Sequence, residues 1–116
     1  MLVLICGDRN WTNREAIRRE LSKLNPADDT IMHGAARGAD SIAGSEAKAM
    51  GFTVRSYPAQ WDTHGRSAGP IRNRLMLSQG PQLVLAFHPD ITTSKGTKDM
   101  VMIARKAGIE TKVYNA

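Results

Sequence analysis

A chain of 116 residues with 41% apolar and 23% charged residues has the size and make-up of one globular domain, which excludes collagen-like, low-complexity and intrinsically disordered classes. A single cysteine cannot form an internal disulfide, and no Cys/His spacing resembles a structural zinc site, so no metal or other cofactor is expected. The formal net charge of +5 lies in glycine-containing loops rather than in basic runs, which fits phosphate groups of a small ligand better than a nucleic-acid surface.

The chain alternates short apolar runs with stretches of helical periodicity. The first run, Leu2–Cys6, shows no polar alternation, as expected of a strand covered on both faces. Thr12 and Glu15 form a capping-box pattern before Ile17, Leu21 and Leu24, and Asn25-Pro26 ends this first helix. A second strand, Thr30–His33, is followed by Asp40 as the predicted cap of a helix with Ala43, Ala47 and Met50 on one face and Gly51 at its end. Strand three is read at Thr53–Tyr57. Gly69-Pro70 then opens a third helix, with Ile71 and Leu75 on one face, that runs to Gly80-Pro81. Strand four, Leu83–Phe87, is again wholly apolar. Gly96-Thr97 opens a fourth helix with Met100, Ala104 and Ala107 in register before Gly108, and Thr111–Tyr114 forms the last strand.

Five strands and four helices in strict alternation predict an α/β fold: a single Rossmann-like three-layer domain spanning residues 1–116, with a five-stranded parallel sheet in the order 3-2-1-4-5 and helices on both faces. That order reverses between strands one and four, so a ligand belongs at their C-terminal ends. The apolar runs fall far short of the roughly 20 residues a membrane span requires, and the first strand starts without a basic leader, so a cytoplasmic protein with no membrane partner is predicted.

The loops on that edge carry the chemistry. Gly7-Asp8-Arg9-Asn10-Trp11 follows strand one. Gly34-x-x-x-Gly38, with Arg37 between, lies between strand two and its helix, where backbone N–H groups and the helix N-terminus would favour an anion. Ser94-Lys95-Gly96-Thr97 repeats that logic at the fourth helix, adding a hydroxyl and a charge. Arg72-Asn73 stands in the first turn of the third helix, where a cation opposes the helix dipole unless an anion is bound. Trp11 and Trp61 are candidates for stacking on a base. Asp8, Asp62 and Asp90 are candidates for ribose hydroxyls or acid chemistry, with turn capping as the competing role. His33, His64 and His88 lack the close spacing or carboxylates of a metal site, and Cys6, with no base to activate it, reads as a core residue.

Cys6-Gly7-Asp8-Arg9-Asn10-Trp11, His33-Gly34-Ala35-Ala36-Arg37-Gly38-Ala39-Asp40, Pro58-Ala59-Gln60-Trp61, Ala68-Gly69-Pro70-Ile71-Arg72-Asn73-Arg74-Leu75-Met76 and Gly96-Thr97-Lys98-Asp99-Met100 together resemble the SLOG superfamily. This Rossmann-like group is named for sensor domains and LOG-type nucleoside-monophosphate phosphoribohydrolases, and the closer resemblance is to its small YspA-type members of bacteria and phages. The resemblance implies a nucleotide-type ligand, with Gly96-Thr97 standing where LOG proteins hold phosphate. LOG enzymes use an arginine, matched here by Arg72, and a glutamate, whose place Met100 takes. A thioether cannot accept a proton, so hydrolysis is in doubt.

The expected function is therefore binding or sensing of a nucleotide or nucleotide derivative through Gly7, Arg9, Gly34, Arg37, Gly38, Arg72, Asn73, Ser94, Lys95, Gly96 and Thr97. One alternative is a LOG-like N-glycosidase with Arg72 for positioning and Asp99 or Asp8 as its carboxylate; on this view a carboxylate at position 100 lies within a turn of the phosphate. Another is single-stranded nucleic-acid binding, as in the SLOG relative DprA. LOG relatives are commonly dimers, so a homodimer is a further expectation.

Overall fold

The computed structural model describes all 116 residues. Strands β1 (Leu2–Gly7), β2 (Thr30–His33), β3 (Thr53–Ser56), β4 (Leu83–Phe87) and β5 (Glu110–Tyr114) build one parallel sheet in the order β3-β2-β1-β4-β5. This is the order expected of right-handed crossovers that reverse direction once. The helices are α1 (Arg14–Leu21), α2 (Ala39–Ala49), α3 (Trp61–His64), α4 (Ala68–Ser78) and α5 (Gly96–Lys106). No helix is long and apolar enough to cross a membrane.

The core is two layers divided by the sheet. Side chains of a strand alternate between faces, so Val3 and Ile5 of β1 pack with Ile17, Leu21, Ala43 and Ala47 of α1 and α2. Leu4 and Cys6 point the other way, into a layer with Met76 of α4 and Met100, Val101 and Ala104 of α5. Burial on both faces explains why β1 and β4 lack polar positions. The alanines of α2 let its backbone approach the sheet closely.

Four local expectations are corrected. Asn13 rather than Thr12 caps α1, its Oδ1 accepting the Ala16 N–H at 3.1 Å. Glu15 makes no capping box and instead lies 3.9 Å from Arg19 at the surface, and Leu24 packs from the turn beyond the helix. The cap of α2 is Gly38, not Asp40. Between β3 and β4 the chain forms α3 and a 3-10 turn at Gly65–Ser67 before α4, so Pro70 is the third residue of its helix and not the first. Finally, α4 turns Ile71 and Leu75 to solvent and buries Ala68, Asn73 and Met76. The buried face of α4 is partly polar because it closes the site described next.

Candidate functional site

A cleft of about 950 Å³ opens over the C-terminal ends of β1 and β4, with Cys6 and Gly7 on its floor and His88 beside them. The loop after β1 supplies Asp8, Arg9 and Asn10, the loop before α2 supplies Arg37, α3 supplies Trp61, and the start of α5 supplies Ser94, Lys95, Gly96 and Thr97. The first turns of α4 bring Arg72 and Asn73 into the same space. These groups converge because the strand order reverses here, leaving two neighbouring loops to run in opposite directions from one crevice.

Two glycines allow the loops to approach. Gly38 has φ +71, which an L side chain rarely adopts, and a Cβ there would come 2.3 Å from the Asp8 carbonyl oxygen. That carbonyl accepts the Ala39 N–H at 3.0 Å, locking the β1 loop onto the start of α2. Gly38 thus shapes the site from beneath rather than lining the cleft. At Gly34 a Cβ would come 2.2 Å from Nη1 of Arg72, so this glycine is the seat of the arginine. The intervening Ala35 is held at φ 59, and Nδ1 of His33 accepts its N–H at 2.9 Å. Such a sparsely populated conformation persists only where neighbours fix it.

The Gly34–Gly38 loop does not point free backbone donors at a ligand, as the spacing had implied. Its anion is the chain's own: Oδ2 of Asp40 accepts the Gly34 N–H at 3.0 Å and the Ala36 N–H at 3.3 Å. Asp40 is only 4% exposed. Burial, partly offset by these N–H groups and by Arg72, pushes its carboxyl up to about 6. Asp40 is the site residue that the sequence reading passed over as a helix cap; the available signal was an acid directly behind a basic, glycine-rich loop.

Arg72 is half-buried, and burial lowers its pKa. Nη1 donates to the carbonyls of Gly34 and Tyr57, and Nε donates to Oδ1 of Asn73 at 3.1 Å. Asn73 in turn donates through Nδ2 to the Gly96 carbonyl at 3.3 Å and to Asp99 at 3.1 Å. One continuous set of hydrogen bonds therefore joins Gly34, Arg72, Asn73 and Gly96 on a single sheet edge. One salt bridge borders the cleft, from Arg74 to Asp99, and those from Arg14 and Arg18 to Glu46 lie away from it. Arg9, Arg37, Arg66, Arg72 and Lys95 consequently face the cleft without a carboxylate partner.

At the start of α5, Oγ of Ser94 accepts the Thr97 N–H at 3.0 Å, which takes up that backbone donor. A Cβ on Gly96 would meet nothing within 4 Å, which leaves open space against the helix N-terminus. Trp61 is 49% exposed, with the Arg9 guanidinium 5.8 Å from its ring centroid. Trp11 does not reach the cleft. It is 6% exposed, packs edge-on against Phe87 and donates from Nε1 to the Asn13 carbonyl at 2.9 Å, so its ring offers no face to a base.

The carboxylates proposed for catalysis are otherwise engaged. Asp99 receives hydrogen bonds from Asn73 and Arg74, and Oδ1 of Asp8 caps its own turn through the Asn10 N–H at 3.1 Å. Met100 is 1% exposed within the lower core layer. A carboxylate at position 100 would enter that layer and not the cleft, contrary to the expectation from helix spacing. The chain contains no cluster of three His, Cys, Asp or Glu side chains able to hold a metal ion.

Comparison with known proteins agrees with this architecture. The family model described as YspA, cpYpsA-related SLOG (YAcAr) matches residues 1–64. The chain is also 37% identical over 116 residues to the "Gene 61 protein" of Mycobacterium phage D29, an alignment covering 92% of this chain and 90% of that protein.

Proposed function

This chain belongs to the YspA, cpYpsA-related SLOG family, and from that premise we propose that it binds a small phosphorylated ligand of the nucleotide type in the cleft over β1 and β4. The observation that carries the reading is Arg72. Its guanidinium is half-buried and held by neutral acceptors from Gly34, Tyr57 and Asn73; it forms no salt bridge, and the nearby charge of Asp40 only partly offsets its burial. A partly desolvated cation in that condition is costly unless an anion completes it, and the planar fork suits a phosphate.

The remaining groups extend this assignment. The open start of α5 at Gly96 is the second phosphate contact, where the backbone and the helix dipole act together. Arg9, Arg37 and Lys95 draw the anion in, and the exposed ring of Trp61 stacks on a base. The role is binding or sensing rather than hydrolysis, because Met100 is a core side chain and Asp99 is engaged by Asn73 and Arg74. The test is titration calorimetry with AMP, GMP, CMP, UMP and ADP-ribose against the matching nucleosides. At least one nucleotide should bind well above its nucleoside, and absence of binding across the panel refutes the reading.

A further inference from the structure

Asp40 has a feature that its capping-like hydrogen bonds do not explain. Both loop N–H groups go to the same oxygen, Oδ2. The other oxygen, Oδ1, makes no hydrogen bond within the chain, yet no buried side-chain oxygen is left unpaired; Oδ1 therefore keeps access to the cleft that Asp40 lines. Oδ1 is thus the one open acceptor on an otherwise buried, fixed side chain, where a ligand donor can take the place of water.

Its neighbours define that partner. Gly34 ties Asp40 to Arg72, giving its N–H to the carboxylate and its carbonyl to the guanidinium. The free oxygen and the unpaired cation thus flank one residue. A metal ion is disfavoured at Oδ1 because Arg9 and Arg72 are both close enough to act on the Asp40 charge and no further metal-ligating side chains gather there. The same cations disfavour an ammonium group. What remains is a neutral donor carried next to an anion.

We propose that Oδ1 of Asp40 accepts a hydrogen bond from a sugar hydroxyl of the ligand, so that the site recognises a phosphorylated sugar through Arg72 and Asp40 together. This assignment rests on the anion-binding reading above and adds a specificity-determining residue to it. Asp8 and Asp99 do not fill this role, because Asp8 caps its own turn through the Asn10 N–H and Asp99 is engaged by Asn73 and Arg74.

The test compares two phosphate monoesters at pH 8 by titration calorimetry: methyl phosphate, which has no hydroxyl, and ribose 5-phosphate. The wild-type protein should bind ribose 5-phosphate at least tenfold more tightly. In Asp40→Asn, whose side-chain oxygen can keep the two loop N–H bonds, that preference should fall to less than threefold. Equal affinity of the wild type for the two esters, or an unchanged preference in the variant, overturns the proposal. The wild-type side-chain carboxyl carbon resonance of Asp40 gives a readout that needs no variant. Ribose 5-phosphate should shift it well beyond the effect of methyl phosphate, and equal shifts overturn the assignment. If the wild type binds neither ester, the anion-binding reading falls with it, whereas loss of the sugar preference alone removes only the role of Asp40.

Discussion

Asp40→Asn should stabilise the ligand-free protein, and the gain should depend on pH. Burial pushes the folded-state carboxyl up to about 6, whereas an unfolded aspartate titrates near ~3.9. The folded protein holds this proton more tightly, so ionisation of Asp40 opposes folding. The penalty is absent below about pH 4, grows as pH rises through the window between the two pKa values, and is complete above about pH 7. A difference of about two between folded and unfolded pKa corresponds to roughly 3 kcal/mol. Asparagine stands in for the neutral acid at all pH values, so the variant should exceed the wild type by about 1–3 kcal/mol at pH 8 and match it near pH 4. Urea melts of both proteins between pH 4 and pH 8 measure this directly, since all other titrating groups cancel in the difference. A gain of 1–3 kcal/mol moves the midpoint by about 1 M urea for a domain of this size. A variant less stable than the wild type at pH 8, or a difference flat across the range, would refute the argument. Retention of a destabilising carboxylate is the pattern expected where stability is given up for binding.

Gly34→Ala should keep the fold while costing about 1–2 kcal/mol of stability, because its Cβ would displace the hydrogen-bonded guanidinium of Arg72 and not backbone. It should nevertheless weaken nucleotide binding at least tenfold by displacing that guanidinium; unchanged binding in calorimetry would show that the seat is not needed. Met100→Glu should lose several kcal/mol of stability at pH 8, since it buries an unpaired carboxylate, and should gain no base release; a stable variant releasing base would restore position 100 to the site. Trp61→Ala should keep the fold, because the ring is half exposed, while weakening nucleotide binding by ~1–3 kcal/mol and leaving sugar phosphates alone. Equal loss for both ligands would exclude a stacking role.

The sheet was legible because its signal is local. Leu2–Cys6 and Leu83–Phe87 have no polar positions, and only strands covered on both faces read that way. Once five strands alternate with helices, handedness leaves few orders to choose from, and the expected one is found. The errors share a different physical origin. On α4 the apolar Ile71 and Leu75 face solvent while Asn73 is buried, because this helix turns its inner face to a polar cleft, and a rule that equates apolar with buried fails there. The cap of α1 went to Asn13 over the adjacent Thr12; both residue types cap, and only the path of the chain into the helix decides between them. α3 has four residues, too few for any periodicity to show.

The candidate site was legible as a set of loops and not as a set of contacts. Gly38 and Gly96 stand out by residue type and position in a strand-to-helix turn, and Arg72 as a cation early in a helix. The clasp of Gly34 between Asp40 and Arg72 joins groups six and 38 residues apart in the chain, and no local pattern encodes it. For the same reason Gly34 read as a donor to phosphate when its N–H belongs to Asp40, and Trp11 read as a stacking platform when its ring is packed on Phe87.

Arg72 is the residue proposed to meet phosphate. The decisive measurement is the affinity of wild-type protein and Arg72→Ala for one 5′-nucleotide and for the matching nucleoside, by titration calorimetry at a fixed salt concentration. Loss of one charge-assisted phosphate contact should weaken the nucleotide by ~1.5–3 kcal/mol, about 10- to 100-fold, with the nucleoside changed far less and the melting midpoint retained. Equal weakening of nucleotide and nucleoside, or full nucleotide affinity in a folded Arg72→Ala protein, would contradict it.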